Sequence, residues 1–130
     1  VLDTGHAFMA GEVLGESIWL LHREGRLGHV HFNDNYRGWD DDMVAGSIHF
    51  LPFLEAFYWL KRIEYDGWLS LDVFPYREDP DLAVQESIAY LKRLDEIVDE
   101  IGMRTLADLM QQNDGVRTLQ LVNQHVLGTN

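Results

Sequence analysis

The sequence predicts an α/β fold, and three observations support this. Short runs in which polar and apolar residues alternate are typical of strands, and they read VLDTGH, LGHVHFN and YDGWLSLDVF. A longer run with helical periodicity follows each of them. Strands that alternate with helices in this way usually lie parallel in one sheet. The chain is therefore expected to contain three parallel βα units followed by C-terminal helices.

Apolar stripes and end signals place the helices of the three units. The first helix is predicted at 11–24, and the second, which is rich in apolar residues, at 50–62. The third is predicted from the N-cap residue Asp79 to the stop signal at Gly102. Its apolar stripe consists of Val84, Ile88, Leu91, Leu94 and Val98. This helix is expected to bury that stripe.

The part of the chain after Gly102 has a different pattern. Two shorter helical patterns, at 103–112 and 114–127, are separated by the turn residues NDG. We therefore divide the chain into a βα portion at 1–102 and a C-terminal helical extension at 103–130. Hydrophobic residues make up 46% of the sequence, which is ample for a packed core.

The chain is strongly acidic, which limits its partners. Its 10 Lys and Arg residues against 22 Asp and Glu residues give a formal net charge of −12. Such a charge repels phosphate backbones and anionic lipid headgroups, so we expect neither nucleic acid nor a membrane as a partner. The most apolar run, SIHFLPFLEAFYWL, is also too short to span a bilayer. Cysteine is absent, which fits a reducing, cytoplasmic location and excludes thiolate metal clusters.

Side chains on the predicted strands separate into a polar face and an apolar face. Polar residues recur along the second strand at His29, His31 and Asn33. The corresponding polar positions of the other two strands are Asp3, Ser70 and Asp72. Because successive side chains of a strand point to opposite faces, the apolar residues between them are free to meet the helices. The polar face is therefore the candidate site.

Three of these polar residues lie at the carboxyl ends of the strands, where parallel barrels place their active sites. They are Asp3, His31 and Asp72. Two carboxylates and an imidazole suit a divalent cation such as Mn²⁺, Mg²⁺, Co²⁺ or Zn²⁺. The alternative is that all three are ordinary solvated residues at strand ends. Their equivalent positions in consecutive units favour the metal site.

The motifs LDTGH, HFNDNYRG and YDGWLSLDVFP resemble a known family. Their order and spacing are similar to the last three βα units of the xylose isomerase-like TIM barrels, the sugar isomerase/epimerase group that includes D-tagatose 3-epimerase. The resemblance covers about residues 1 to 100. It implies the C-terminal three βα units of a (β/α)8 TIM barrel, with C-terminal helices added.

The resemblance also implies roles for single residues. Asp3 and His31 would be metal ligands, His6 would contact a substrate hydroxyl, and Arg37 would hold a substrate oxygen. Asp72 stands where the family usually has a glutamate that is both metal ligand and catalytic acid/base. Because aspartate is one methylene shorter, it either draws the metal closer or loses direct contact with it.

The activity implied is that of a divalent-metal-dependent sugar isomerase or epimerase, which abstracts a proton alpha to a carbonyl. Two alternatives stay open. One is a non-catalytic barrel remnant that binds a sugar or a partner chain. The other is an endonuclease IV-like DNA-repair enzyme, against which stand the net charge of −12 and the lack of histidine in WDDDMVAG.

Other polar and aromatic residues have ordinary interpretations. The acidic run at 40–42 is expected to be solvated, and His29 either packs or supports a ligand. The histidines without an acidic partner at ligand spacing, which we expect at the surface or in the core, are His22, His49 and His125. Trp59 and Trp68 are expected in the core or barrel wall, while Trp39 in a loop could stack on a sugar ring.

Three βα units cannot close an eight-stranded barrel, so both edges of the sheet are expected to be open. Open edges tend to pair with another chain. We therefore predict a homo-oligomer, most simply a dimer, or completion by the missing part of the barrel.

Overall fold

A parallel three-stranded sheet in the order β1-β2-β3 forms the centre of the chain, in a computed structural model that describes residues 1–128. The strands are β1 (Leu2–Asp3), β2 (His29–Phe32) and β3 (Trp68–Leu71). The helices are α1 (Thr4–Met9), α2 (Leu14–Arg23), α3 (Leu51–Arg62), α4 (Pro80–Ile101), α5 (Met103–Gln111) and α6 (Gly115–Leu127). The predicted mixed α/β fold with three parallel strands is confirmed.

The short helix α1 was not predicted, because the sequence indicated only a turn after the first strand. Asp3 caps this helix: its Oδ1 accepts a hydrogen bond from the backbone N–H of His6 at 3.0 Å. Such a cap satisfies one of the free N–H groups at a helix start. Asp3 therefore ends β1 and starts α1, which limits how its carboxylate can turn.

The two faces of β2 differ as the alternation predicts. Val30 and Phe32 are each only 1% exposed and belong to the hydrophobic core. His29 and His31 on the other face are half-buried. The core on the apolar face is rich in aromatic rings, and the Phe32 ring lies stacked on Phe57 of α3 with 5.6 Å between centroids. The sheet thus presents its polar face away from this core.

The apolar stripe predicted for α4 is present, but part of it is not buried. Leu94 and Val98 are buried, but Val84 and Ile88 are 40% and 41% exposed. They line a groove together with Leu69, along the free edge of β3. Helical periodicity gives the apolar face of a helix but not whether another element covers it.

The helices α5 and α6 confirm the two helical patterns predicted after Gly102. Leu106, Leu109 and Val122 are their buried residues. Asp114 caps α6 by accepting a hydrogen bond from the N–H of Arg117 at 3.0 Å. Residues 129 and 130 of the predicted extension lie outside the described part of the chain. Among the helices described, none is both long and apolar enough to cross a membrane.

Candidate metal centre

The parallel register brings Asp3, His31 and Asp72 to one point at the carboxyl edge of the sheet. Asp3 is the register partner of His31, and His31 is the partner of Ser70. The ladder continues one residue further, since the N–H of Asp72 donates to the carbonyl of Phe32 at 3.1 Å. One possible ligand atom from each of the three residues lies within 4.8 Å of the others.

His31 lies between the two carboxylates. Its Nδ1 is 3.7 Å from Oδ2 of Asp3 and 3.5 Å from Oδ2 of Asp72. These separations are too long for hydrogen bonds. They fit atoms that share one ion, because bonds of about 2 Å place neighbouring ligand atoms roughly 3 to 4 Å apart. The two oxygen donors and one nitrogen donor match the preference of Mn²⁺, Mg²⁺, Co²⁺ or Zn²⁺.

Asn33 orients the Asp3 carboxylate through a hydrogen bond. Its Nδ2 donates to Oδ1 of Asp3 at 3.1 Å, and the Asn33 side chain is fully buried. The hydroxyl of Thr4 donates to the Asn33 carbonyl at 2.7 Å and accepts from its N–H at 3.0 Å. Gly5 leaves the space, since a Cβ there would lie 1.8 Å from Oδ1 of Asn33. The alternation placed Asn33 on the correct face but did not reveal this role.

His29 contacts His31 and is not one of the three converging residues. Its Nε2 lies 2.8 Å from the hydroxyl of Ser70 on β3. The His29 ring meets the His31 ring edge-on, with 4.8 Å between centroids. His29 therefore contacts His31 but is not fully buried, and its support of a metal ligand stays a prediction.

The sequence suggested that the acidic run at 40–42 is simply solvated, but two of its residues interact with the site. Nε2 of His6 lies 2.8 Å from Oδ2 of Asp40. This hydrogen bond, and next the charge of Asp3, raise the pKa of His6. Partial burial raises the pKa of Asp42 to about 6, and the charge of Asp40 adds to this shift. Negative charge is therefore concentrated beside the three converging residues.

The comparison with protein families agrees with these observations. The sequence profile of the xylose isomerase-like TIM barrels matches residues 1–94, which contain all three strands. The chain belongs to this family. The resemblance predicted from the three motifs is thereby confirmed. No curated protein sequence matches the chain.

Two predicted substrate contacts of this member of the xylose isomerase-like family lie in the loop between β2 and α3. Arg37 has a φ of 67°, in the left-handed region, and its guanidinium carbon lies 5.4 Å from the centroid of the Phe8 ring. Trp39 is 73% exposed. Neither residue belongs to the converging set, although His6, the third predicted contact, adjoins Asp3.

His49, which was expected at the surface or in the core, has an acidic partner that its spacing in the sequence did not indicate. Its Nδ1 lies 2.6 Å from Oδ1 of Asp34, which is fully buried. The two residues are fifteen positions apart in sequence, and the loop between them has no regular periodicity. The only signal was the position of Asp34 within HFNDN. Trp68, which was expected in the core or the barrel wall, lies on β3 and is 79% exposed, so it is not in the core.

Proposed function

We propose that this chain forms part of a divalent-metal-dependent sugar isomerase or epimerase, which abstracts a proton alpha to a carbonyl. The observation that carries the proposal is the convergence of Asp3, His31 and Asp72 at the ends of three consecutive parallel strands. The membership of the xylose isomerase-like TIM barrels supports it.

The three converging residues differ in exposure, which suggests different roles. The Asp3 side chain is 9% exposed and doubly anchored, so it suits a fixed ligand. The Asp72 side chain is 42% exposed and is therefore open to a substrate. When bound, the metal supplies positive charge beside the carbonyl oxygen of the sugar. Asp72 would be one of a pair of carboxylates that remove the proton from the adjacent carbon and return it.

Residues of the neighbouring loops would hold the sugar. His6 would form a hydrogen bond with a substrate hydroxyl, with the orientation of its ring fixed by Asp40. Arg37 would bind a substrate oxygen, and the exposed ring of Trp39 would stack on the sugar. Active sites built from loops at the carboxyl ends of the strands are the usual arrangement in a parallel barrel.

We further propose that β1, β2 and β3 are the last three strands of an eight-stranded barrel. Within residues 1–128, β1 and β3 are each paired on one side only. The family resemblance implies a second acid/base carboxylate on a strand other than these three. Other strands, supplied either by the rest of a longer barrel or by another chain, would complete both the sheet and the catalytic pair.

Calorimetric titration with Mn²⁺ tests the metal site. We expect weak binding by the wild-type chain, because a site with three protein ligands leaves several positions to water. His31→Ala should abolish this binding. His22→Ala, on α2, is the matched control and should bind as the wild type does. Absence of Mn²⁺ binding, or binding that persists in His31→Ala, would contradict the proposal.

A second candidate function is non-catalytic sugar binding. It is favoured by the small number of ligands. The one candidate metal group in the described chain offers three protein ligands, from Asp3, His31 and Asp72. Exchange of the carbon-bound proton of D-fructose with D₂O separates the two functions. Exchange that depends on Asp72, in a form completed to a full barrel, supports catalysis. Binding without exchange in that form supports the second candidate.

A further inference from the structure

We propose that His49 and Asp34 are positioning residues for Arg37, and that they hold its guanidinium ready for a substrate oxygen. The link to a substrate rests on the proposed function. The positioning itself rests on contacts between these three side chains. Arg37 donates through Nε to Nε2 of His49 at 2.9 Å, and Nδ1 of His49 lies 2.6 Å from Asp34.

Asp34 is the fixed end of this chain of contacts. Its carboxylate is fully buried and accepts backbone hydrogen bonds as well as the His49 ring. Oδ2 accepts from the N–H groups of Ile48 and His49 at 2.8 and 3.0 Å, and Oδ1 accepts from Asn35 at 2.9 Å. Charge-assisted hydrogen bonds of this number hold a carboxylate firmly. Asp34 therefore anchors the far end of the loop that carries His49.

The hydrogen-bond partners assign the tautomer of His49. An arginine Nε–H is a donor and cannot accept, so Nε2 of His49 must be the acceptor. The ring proton is then on Nδ1, where it is donated to the Asp34 carboxylate. A doubly protonated ring would bring two N–H groups together at the Arg37 contact. The arrangement therefore requires neutral His49.

Further contacts restrict the Arg37 backbone and side chain. Its N–H donates to Oδ1 of Asn35 at 2.8 Å, and its φ of 67° is unusual for a residue other than glycine. The rings of Phe8 and His49 are stacked with 4.0 Å between centroids, and the guanidinium lies over the Phe8 ring. Strained backbone of this kind persists where the surroundings determine it, often at functional sites.

The choice of a neutral ring as partner leaves the charge of Arg37 available. A carboxylate in the place of His49 would have offset that charge. Among the residues described, neither terminal amino group of Arg37 has a hydrogen-bond partner. These two groups form the planar fork that binds oxygen atoms in pairs. The geometry points to Arg37 as an oriented cation for a substrate oxygen.

Nuclear magnetic resonance of the ¹⁵N-labelled full chain tests the positioning without any ligand. We expect His49 to be protonated on Nδ1, with a scalar coupling across the hydrogen bond between Nε2 and Arg37 Nε. His49→Phe keeps the ring stack but removes both hydrogen bonds, so exchange of the Arg37 Nε–H with water should become about tenfold faster. His49→Gln, which can both donate and accept, should restore part of the protection.

His125→Phe is the matched control, because within residues 1–128 the one hydrogen bond of that ring is from Nδ1 to a carbonyl of its own helix, α6, at 2.8 Å. It should leave the Arg37 signal unchanged. Protonation of His49 on Nε2, or the absence of the coupling in the wild-type chain, would overturn the proposal. Because the wild-type measurement decides this alone, the result does not depend on whether any variant folds.

A double-mutant cycle tests the link to the substrate, with D-fructose and Mn²⁺ as the probes. We expect Arg37→Ala and His49→Phe each to weaken fructose binding by about tenfold. The double variant should bind no more weakly than Arg37→Ala, since His49 acts through Arg37. Effects that multiply would contradict this. If the chain binds no fructose even in a form completed to a full barrel, the proposed function fails, while the nitrogen coupling still decides the positioning.

Discussion

His31 Nδ1 lies 3.5 Å from Oδ2 of Asp72, and the two residues are held by adjacent parallel strands. The Asp72 carboxylate reaches this position with a short side chain, where the family resemblance implies a longer one. We expect Asp72→Glu to bind Mn²⁺ more tightly than the wild type, because the extra methylene extends the carboxylate towards the other ligands. Asp72→Asn should bind more weakly. Calorimetry measures both, and tighter binding by Asp72→Asn would contradict a role for Asp72 as a ligand.

The space at Gly5 provides a second prediction. Gly5→Ala should destabilise the chain by about 1 to 3 kcal/mol, because its Cβ would displace the buried Asn33. It should also weaken Mn²⁺ binding, since Asn33 orients Asp3. Thermal unfolding and calorimetry measure the two effects. Gly28→Ala is the matched control, as its Cβ would meet no atom within 4 Å. Equal stability of the two variants would show that Asn33 has room to move.

Asn33 itself can be tested without adding volume. Asn33→Ala removes the amide that donates to both oxygens of Asp3, at 3.1 and 3.3 Å. Groups that orient a metal ligand typically contribute about 10-fold to 100-fold to metal affinity. We therefore expect Asn33→Ala to lower the affinity for Mn²⁺ by about 10-fold, the low end of that range. Calorimetry measures this change. Asn123→Ala on α6 serves as the control. Unchanged affinity in Asn33→Ala would mean that the helix cap alone is enough to orient Asp3.

The raised pKa of Asp42 predicts a pH dependence of stability in the absence of metal. Its pKa is about 6 in the folded chain against an ordinary value of 3.8, so the folded chain holds this proton more tightly than the unfolded chain. The contribution of protonated Asp42 to the free energy of unfolding is therefore fully present below pH 3.8. It is lost as the pH rises through 6. Asp42→Asn should melt at a higher temperature than the wild type at pH 7.5 and at the same temperature near pH 3.5.

The control for this measurement is Asp41→Asn, which removes a charge from the same loop. It should show a smaller change in melting temperature between the two pH values. Asn also tolerates the φ of 47° at position 42, so the substitution introduces no backbone strain. A melting temperature of Asp42→Asn below that of the wild type at pH 7.5 would mean that Asp42 makes a favourable contact as an anion.

The features that the sequence predicted correctly depend on short-range patterns. Alternation along β2 is sufficient to separate His31 from Phe32, and the order of strands and helices is sufficient to bring the strand ends together. The contact between Asp34 and His49 depends instead on the path of an irregular loop. Neither period-two alternation nor helical spacing describes such a path, so this part of the site required the structure.

The exposure of Val84 and Ile88 was missed for a different reason. The sequence identified the apolar side of α4 correctly, and Leu94 further along the same helix is buried. The sequence did not show which element, if any, packs against that side of α4. Whether an apolar face is covered depends on which strand lies at the edge of the sheet, and this is a property of the whole arrangement.

The uncovered face of α4 and the free edge of β3 lead to the prediction on assembly. Leu69, Val84 and Ile88 line an apolar groove of about 600 Å³ and are each at least 40% exposed. Exposed apolar patches of this kind usually mark an interface, and closed dimers are the commonest assembly. We expect a homodimer at micromolar concentration by size-exclusion chromatography with light scattering. Ile88→Lys should shift it to monomer, because a charge would be buried in the contact. Leu127→Lys on α6, where the side chain is 66% exposed and outside the groove, should remain dimeric. A stable monomeric wild type, or equal dissociation of both variants, would exclude this groove as the contact.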